Sequence, residues 1–243
     1  MDLNSGLIRG SQALFGIKTN LKFGKFRIQA LVSQQNSESQ TVSSKGGAQM
    51  TKFDVSGDNY DENRHFFLSY FFRDQYEGAM ATAPYIASGV TINKIEVWVT
   101  IKRGKYDQAR NIIAFTDLGE TNAHIANHTW VAGVSAVPDN KTNDLYNNIR
   151  SRANIRDIQQ VSKVLSDLEG GDDFEKVESA RLLSSSEYTL NSALGFISLR
   201  SALNQDEVLA VAYEYTYGGQ VYQVGEFSTD ASDELRAPNA LVL

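Results

Sequence analysis

Histidine and carboxylate side chains are the groups in this chain whose spacing could hold a metal ion. His124 and His128 lie four positions apart, and on a helix that spacing would place two imidazoles on one face, as in zinc sites. The helix pattern here is weak and no third ligand is evident, so two unligated loop histidines are favoured. An acidic patch could bind calcium through hard oxygens, but its spacing is not that of an EF-hand. The patch comprises Asp54, Asp58, Asp61 and Glu62.

Covalent catalysis and nucleic-acid binding have little support in the sequence. The chain has no cysteine, which excludes thiol nucleophiles, disulfides and zinc–thiolate sites. It carries no G-x-S-x-G, P-loop or strand-linked G-x-G-x-x-G motif, and nothing singles out a pair of carboxylates for glycoside cleavage. A net charge of −6 argues against a general nucleic-acid binder, which needs a basic face. We expect a protein that is not an enzyme, holds no cofactor or metal and binds no nucleic acid.

Aromatic side chains offer a different chemistry, because they can stack on sugars or pack against a peptide. Tyr213, Tyr215 and Tyr222 lie on segments of β character, and Trp130 follows a polar stretch. If exposed, these four side chains form a candidate interaction surface, although tyrosines paired across a sheet are more often packed. This observation supports one functional hypothesis, a free-standing β-rich module that binds a carbohydrate or a peptide.

The elements that must position these residues begin with a predicted hairpin. Residues 15–23 and 26–32 alternate apolar and polar around Gly24-Lys25, a type II′ turn composition whose register sets Leu21 against Ile28. The pattern fits a hairpin of a soluble sheet and also a transmembrane β-hairpin, and the residues alone favour the soluble sheet. A polar loop and a short strand at 51–56 are predicted to follow.

An aromatic-rich helix and a long strand are predicted next. The helix covers residues 61–82, with Asp61 or Asn63 as its N-cap. The strand covers residues 90–101, and its apolar alternation changes parity at Asn93-Lys94, which predicts a β-bulge. Trp98 points to the opposite side, so we expect that side to be partly covered.

The remaining pattern alternates short helices and short strands. Residues 111–117 form an almost wholly apolar strand, and helices are predicted at 143–150 and 153–169. The apolar stripe of the second helix is expected to dock on the chain's own sheet, and a partner helix is the alternative. A last hairpin surrounds Gly218-Gly219, a type I′ composition whose register sets Tyr215 against Tyr222 and Tyr213 against Val224.

Six long strings, spread over nearly the whole chain, carry a family resemblance. They are YDENRHFFL from residue 60, SGVTINKIEVWVT from 88, RNIIAFTDLGE from 110, LNSALGFISL from 190, DEVLAVAYEY from 206 and YQVGEFS from 222. With these strings the chain resembles SprA, also called Sov, the giant outer-membrane protein of type IX secretion and gliding motility in Bacteroidetes. The resemblance implies a non-catalytic segment of a protein-secretion translocon at the outer membrane or cell surface. It implies as partners a PorV-like barrel protein, a plug subunit and exported cargo proteins.

The predicted fold class is β-dominated α+β, built of antiparallel hairpins and two to three helices. The resemblance favours barrel strands for residues 1–50, which include the first hairpin and the polar loop, and a soluble-looking α+β domain for residues 51–243. The chain carries no signal-peptide pattern after Met1 and no run long enough for a transmembrane helix. It ends on the apolar run 237–243, which soluble chains seldom expose, so we expect a fragment of a much larger outer-membrane β-barrel protein, truncated at its C-terminal end.

Overall fold

The structure is a computed structural model. It describes the backbone of residues 15–23 and 26–34, and it describes residues 60–102, 109–230 and 232–243 together with their side chains. The chain divides into two units, residues 1–54 and residues 55–243. Some sequence predictions fall outside the described residues: the turn at 24–25, the polar loop after the first hairpin, the strand at 51–56, and Asp54 and Asp58 of the acidic patch.

The described part of the first unit is one antiparallel hairpin. Strand β1 covers Phe15–Phe23 and strand β2 covers Phe26–Gln34. The register sets Leu21 opposite Ile28 and Phe23 opposite Phe26. The predicted hairpin and its register are therefore confirmed. The register was predictable because a two-residue connection leaves the two strands little freedom to slip against each other.

The second unit is dominated by strands, which confirms the predicted β-dominated α+β class. Its elements are β3 (His65–Phe67), α1 (Tyr70–Met80), β4 (Val90–Thr100), β5 (Arg110–Phe115), α2 (Leu145–Ser151), α3 (Val161–Val164), β6 (Phe174–Leu182), β7 (Tyr188–Asn191), β8 (Phe196–Leu199), β9 (Leu209–Tyr217), β10 (Gln220–Val224) and β11 (Leu241–Val242). The described residues form a six-stranded sheet in the order β10-β9-β4-β6-β5-β11 and a three-stranded sheet in the order β3-β8-β7.

Strand β4 lies between β9 and β6 and carries the predicted bulge. The register against β9 shifts between Ile92 and Lys94, which confirms the prediction from the change in parity. The shift keeps Ile92 and Val97 in the same core, on the face that α1 covers. Trp98 points to the opposite face, where it is 2 % exposed within a second core, so the expected covering of that face is also confirmed.

The predicted helix at 61–82 begins later than expected. Residues 65–67 form β3, where Phe67 lies opposite Phe196, and α1 begins after Ser69 rather than after Asp61 or Asn63. Asn63 has a φ of 54°, so the backbone turns there and cannot continue as a helix. The helix prediction was wrong for these residues because pairing with β8 overrides the helical spacing of the phenylalanines.

The predicted helix at 153–169 is also mostly wrong, although its buried stripe is right. Only α3 is helical in this stretch, and the residues around it form turns. Asn154 has a φ of 62°, which interrupts any helix that continues from α2. The apolar side chains of the stripe are nevertheless buried in the chain's own main core; they are Ile155, Ile158, Val161 and Leu165.

The apolar run at the end of the chain is buried. Leu241 and Val242 form β11, which pairs parallel with Ile112 and Ile113 of β5. Ala240, Leu241 and Val242 are 0 % exposed, and Leu243 is 4 % exposed. The run completes an edge of the six-stranded sheet, so it is packed as the rarity of exposed apolar runs suggests.

Gly195 provides a test of how closely α1 packs on the small sheet. Its φ is +65°, and a Cβ at this position would lie 2.4 Å from the Phe72 ring of α1. We expect Gly195→Ala to lower the free energy of unfolding by about 2–4 kcal/mol, because the substitution combines backbone strain with overpacking. Denaturant unfolding followed by tryptophan fluorescence measures the change.

Gly78→Ala is the matched control in the same region. Gly78 is exposed within α1 and has free space where a Cβ would lie. This substitution should raise stability by about 0.5–1 kcal/mol, because alanine has the higher helix propensity. Equal effects of the two substitutions would contradict the described packing of α1.

Candidate interaction surface

Two of the four aromatic residues of the candidate interaction surface are in the core. Tyr213 is 1 % exposed and Tyr215 is 0 % exposed. Both side chains lie on the inner face of β9, where the Phe72 ring meets each of them edge-on at 5.8 and 5.3 Å. Burial raises the pKa of both phenols above the ordinary value. Both residues therefore pack the fold, which is the commoner arrangement for tyrosines paired across a sheet.

Tyr222 and Trp130 remain accessible in part. The ring of Tyr222 stacks on that of Tyr215 at 5.3 Å, and both Tyr222 and Trp130 pack against the margin of the main core. Both are half-buried. Their role in an interaction surface stays a prediction.

Residues 131–144, which we call the 131–144 loop, are fastened to the β9–β10 hairpin. The Tyr215 hydroxyl donates to the Pro138 carbonyl at 2.8 Å. Asn140 donates its backbone N–H to the Gln223 carbonyl at 2.8 Å, and its side chain exchanges two hydrogen bonds with the backbone of Gly225. Buried Tyr215 thus has a defined structural task, which is to hold this loop beside the hairpin.

The loop also holds itself in one shape. Gly133 donates to the Thr142 carbonyl at 2.8 Å and Val134 to the Lys141 carbonyl at 3.1 Å, so the two arms of the loop run side by side. They approach so closely that a Cβ on Gly133 would lie 1.8 Å from the Lys141 carbonyl oxygen. Val134 nevertheless points outward and is 92 % exposed. The loop is therefore a fixed part of the surface that presents an apolar side chain.

The two histidines with zinc-site spacing are not brought together by a helix. Both lie in turns, and His128 is exposed. The His124 Nε2 atom lies 2.8 Å from the Asp74 carboxylate, and its ring stacks on Tyr70 at 5.2 Å. Within residues 60–102, 109–230 and 232–243, no three His, Asp or Glu side chains are grouped as metal ligands would be.

Glu120 is a buried carboxyl at the start of α1. Its Oε1 accepts a hydrogen bond from the Tyr70 N–H at 3.2 Å, one of the helix N–H groups that lack a partner within the helix. The other oxygen, Oε2, and the nearby Ser69 Oγ are buried without a hydrogen-bond partner among the described residues. Burial raises the pKa of Glu120 above its ordinary value of 4.5, and the Tyr70 N–H and His124 oppose this rise.

The most heavily bonded carboxylate belongs to Glu226, which follows β10. It is 2 % exposed and forms two parallel hydrogen bonds with the Arg156 guanidinium, at 2.7 and 2.8 Å. It also accepts from the Tyr146 hydroxyl at 3.1 Å and from the Val242 N–H at 3.0 Å. We call these four residues the Glu226 cluster. The cluster joins α2, the stretch before α3 and β11 in one contact.

The Glu226 charge changes the titration of its neighbours. Burial, followed by the Glu226 carboxylate, raises the pKa of Tyr146 to about 12. The hydrogen bonds that Arg156 donates to Glu226 raise the pKa of Arg156. Both shifts keep Tyr146 neutral and Arg156 charged at neutral pH.

A second buried carboxylate, that of Glu96 on β4, holds the following residues from the other face of the sheet. Glu96 accepts from the Ser228 N–H at 3.0 Å, from the Ser228 hydroxyl at 2.9 Å and from the Trp98 indole N–H at 3.2 Å. Neither Glu96 nor Glu226 stands out in the sequence as a buried carboxylate. Each lies within an apolar stretch and so resembles any exposed carboxylate of a strand. In the sequence, Gly225 was the one sign that the strand ends before Glu226. In the structure Gly225 has a φ of 76°, and β10 ends at the residue before it.

Residues 4–203 match a family model described as motility related/secretion protein, and this match defines the class of protein. The chain belongs to this family, SprA_N, and the resemblance to SprA in the sequence is confirmed at the level of the family. Strands β9, β10 and β11 follow residue 203, so the matched region supplies β4, β5 and β6 of the larger sheet. No curated protein sequence matches the chain. Of the helices among the described residues, none has the length and apolar character needed to cross a bilayer.

The pKa of Glu120 leads to a prediction about pH. A carboxyl whose folded pKa is raised contributes stability below its unfolded pKa and loses that contribution as pH rises through the folded value. The neutral isostere in Glu120→Gln keeps the acceptor for Tyr70 and does not ionise. We therefore expect Glu120→Gln to gain stability relative to the natural protein as pH rises above 4.5.

Urea unfolding of both proteins at a series of pH values measures this difference. Glu77→Gln, on the exposed side of α1, controls for the loss of a carboxylate. A constant difference between Glu120→Gln and the natural protein across the series would show that Glu120 does not titrate in a buried setting.

The Glu226 cluster leads to a prediction about stability. Glu226→Gln leaves the guanidinium of Arg156 buried without its counter-charge, so we expect a loss of about 3 kcal/mol in the free energy of unfolding. The matched control is Asp167→Asn, which removes the partner of Arg152 in a pair where Asp167 is 56 % exposed. Its cost should be about 1 kcal/mol or less. Similar costs at the two positions would mean that the cluster contributes no more than a surface pair.

Proposed function

We propose that this chain is a non-catalytic structural segment of an outer-membrane protein-secretion translocon, in the type IX system that also serves gliding motility. The observation that carries the proposal is the match of residues 4–203 to a family of motility- and secretion-related proteins. In this proposal the chain acts by geometry, as a folded module that shapes a conduit or docks other subunits. It works within a larger protein of the outer membrane or cell surface.

The contacts of the buried carboxylates support a structural role. Acid–base catalysis requires a carboxyl group within reach of a substrate. The Glu226 carboxylate instead bonds Arg156, Tyr146 and Val242, and the Glu96 carboxylate bonds Trp98 and Ser228. Both groups therefore join segments of the chain to each other. The proposed partners are a PorV-like barrel protein, a plug subunit and exported cargo proteins, and nucleic acid is not among them.

The alternative hypothesis, a free-standing module that binds sugars or peptides through four aromatic residues, is weakened. Two of its four residues, Tyr213 and Tyr215, are in the core and cannot stack on a ligand. Tyr222 and Trp130 alone do not supply the flat aromatic platform that it required.

Cell fractionation and cargo export test the proposal. An antibody against this chain, used on fractionated cells of the source organism, should detect a protein several times larger than the chain in the outer-membrane fraction. In-frame deletion of residues 60–243 from that protein should abolish export of proteins that carry the type IX C-terminal signal. Immunoblots of the culture medium measure the export, and the level of an unrelated outer-membrane protein serves as the control.

Point variants separate loss of this module from a general defect of the outer membrane. Gly195→Ala, which strains the packing of α1, should reduce export at high growth temperature, whereas Gly78→Ala should leave it unchanged. Normal export from the deletion strain would overturn the proposal.

A further inference from the structure

The fold covers the two edges of the six-stranded sheet differently. At the β11 edge, Glu226 donates its backbone N–H to the Val242 carbonyl at 3.0 Å, and its side chain accepts from the Val242 N–H at 3.0 Å. The outward backbone groups of β11 are thus bonded by one residue. At the β10 edge, Asn140 bonds only the end of the strand near Gln223, and Val221, nearer the turn, is 60 % exposed.

The register of the hairpin fixes which backbone groups of β10 point outward. Gln220 lies opposite Tyr217 on the two sides of the turn, and Tyr222 lies opposite Tyr215. Residues that flank a two-residue turn form a hydrogen-bonded pair, and such pairs alternate along an antiparallel ladder. Gln220 and Tyr222 therefore bond to β9, and Val221 points its N–H and C=O away from β9.

Gln223 confirms this direction, because its carbonyl accepts the backbone N–H of Asn140 at 2.8 Å, on the side away from β9. Three outward groups remain without a partner in the described part of the chain: the N–H and C=O of Val221 and the N–H of Gln223. Their alternation along one line is the pattern that an added strand bonds.

A groove of about 310 Å³ lies beside these free groups. Val221 and Tyr222 line it on the strand side, and Val134 and Ala136 line it on the side of the 131–144 loop. The loop is fixed to the hairpin through Asn140 and Tyr215, so the groove exists before any partner arrives. The rest of its lining is polar and consists of Ser135, Asp139, Lys141 and Gln220, so the groove offers hydrogen-bonding groups as well as apolar contact beside the free backbone groups.

Exposed edge strands usually carry features that prevent pairing with other chains, such as proline, inward charges or a bulge. The β10 sequence QVYQV has no proline and no charged residue, and its register with β9 is regular. Its edge is closed only at the Gln223–Gly225 end, by Asn140. A partly open strand edge beside a preformed groove is the arrangement that recognises an extended peptide.

We propose that the β10 edge is a docking site for an extended peptide segment of a partner polypeptide, which adds a strand beside Val221. The peptide backbone bonds the free groups of Val221 and Gln223, and one apolar side chain lies between Val134 and Val221. A single strand fits better than the sheet of a second copy, because Asn140 closes the edge at the Gln223 carbonyl and leaves only three free backbone groups, too few for the large contact that a stable dimer needs. The inference rests on this chain's own edge and does not depend on the proposed translocon role.

The test uses the full chain and a phage-displayed library of random peptides about ten residues long, the upper length of an ordinary strand. Peptides selected on the natural protein should carry apolar residues at alternate positions. The best one is then synthesised with a fluorescent label, and its affinity is measured by anisotropy. Val221→Pro removes only the outward N–H, so it spares the hydrogen bonds to β9 and should weaken binding about tenfold or more.

Val221→Thr is the matched control, because it keeps the N–H and the β-branched shape and should change the affinity by about twofold at most. Hydrogen exchange gives a second readout on the natural protein, in which the bound peptide should protect the amides of Val221 and Gln223. This readout decides the matter if Val221→Pro does not fold.

Three results of the peptide experiments would overturn the proposal. They are failure of the library to enrich any peptide, equal affinity for the natural protein and folded Val221→Pro, and protection at other amides only. A stable dimer of the natural protein that Val221→Pro makes monomeric would identify a second copy as the occupant, and it would also overturn the partner-peptide proposal.

Discussion

The pair between Glu226 and Arg156 determines how the last third of the chain closes on the sheet. The carboxylate is almost wholly buried, a position that is tolerated only when its oxygens are bonded and its charge is paired. Arg156 supplies the charge and two hydrogen bonds, and it also donates to the Ala240 carbonyl at 3.0 Å. Removal of either partner would weaken the attachment of both β11 and the stretch before α3, because the same two side chains bond to both.

The two buried carboxylates act on one short segment from opposite faces of the sheet. Glu226 belongs to that segment, and Glu96 reaches it from β4 through Ser228. Between them Phe227 is 1 % exposed in the second core. The segment after β10 is therefore locked, so β10 itself is presented in a fixed position although its outer edge is free. A rigid presentation lowers the entropy that a partner loses on binding.

Local turn chemistry was the part of the fold that sequence could predict. Both hairpins, their registers and the bulge in β4 depend on neighbouring residues, and all were predicted correctly. Residues 65–67 and 153–169 were wrong because long-range partners decide their conformation: β8 pairs with the first, and the main core takes up the second without a full helix. For Tyr213 and Tyr215 the sequence left an exposed and a packed arrangement open, since alternation gives two faces and does not say which one α1 covers. The free edge at Val221 becomes visible only when the neighbours of β10 are known.

The parallel pairing of β11 with β5 has a consequence for how the chain acquires its structure. The outer edge of β5 at Ile112 pairs with Leu241, which is synthesised much later than Ile112. Contacts between residues so distant in sequence form slowly, because a long loop must close first. During that interval the apolar strand Arg110–Phe115 offers an open edge to any neighbouring chain. The outer edge of β5 therefore stays available to other strands until Leu241 and Val242 have been synthesised and have paired with it.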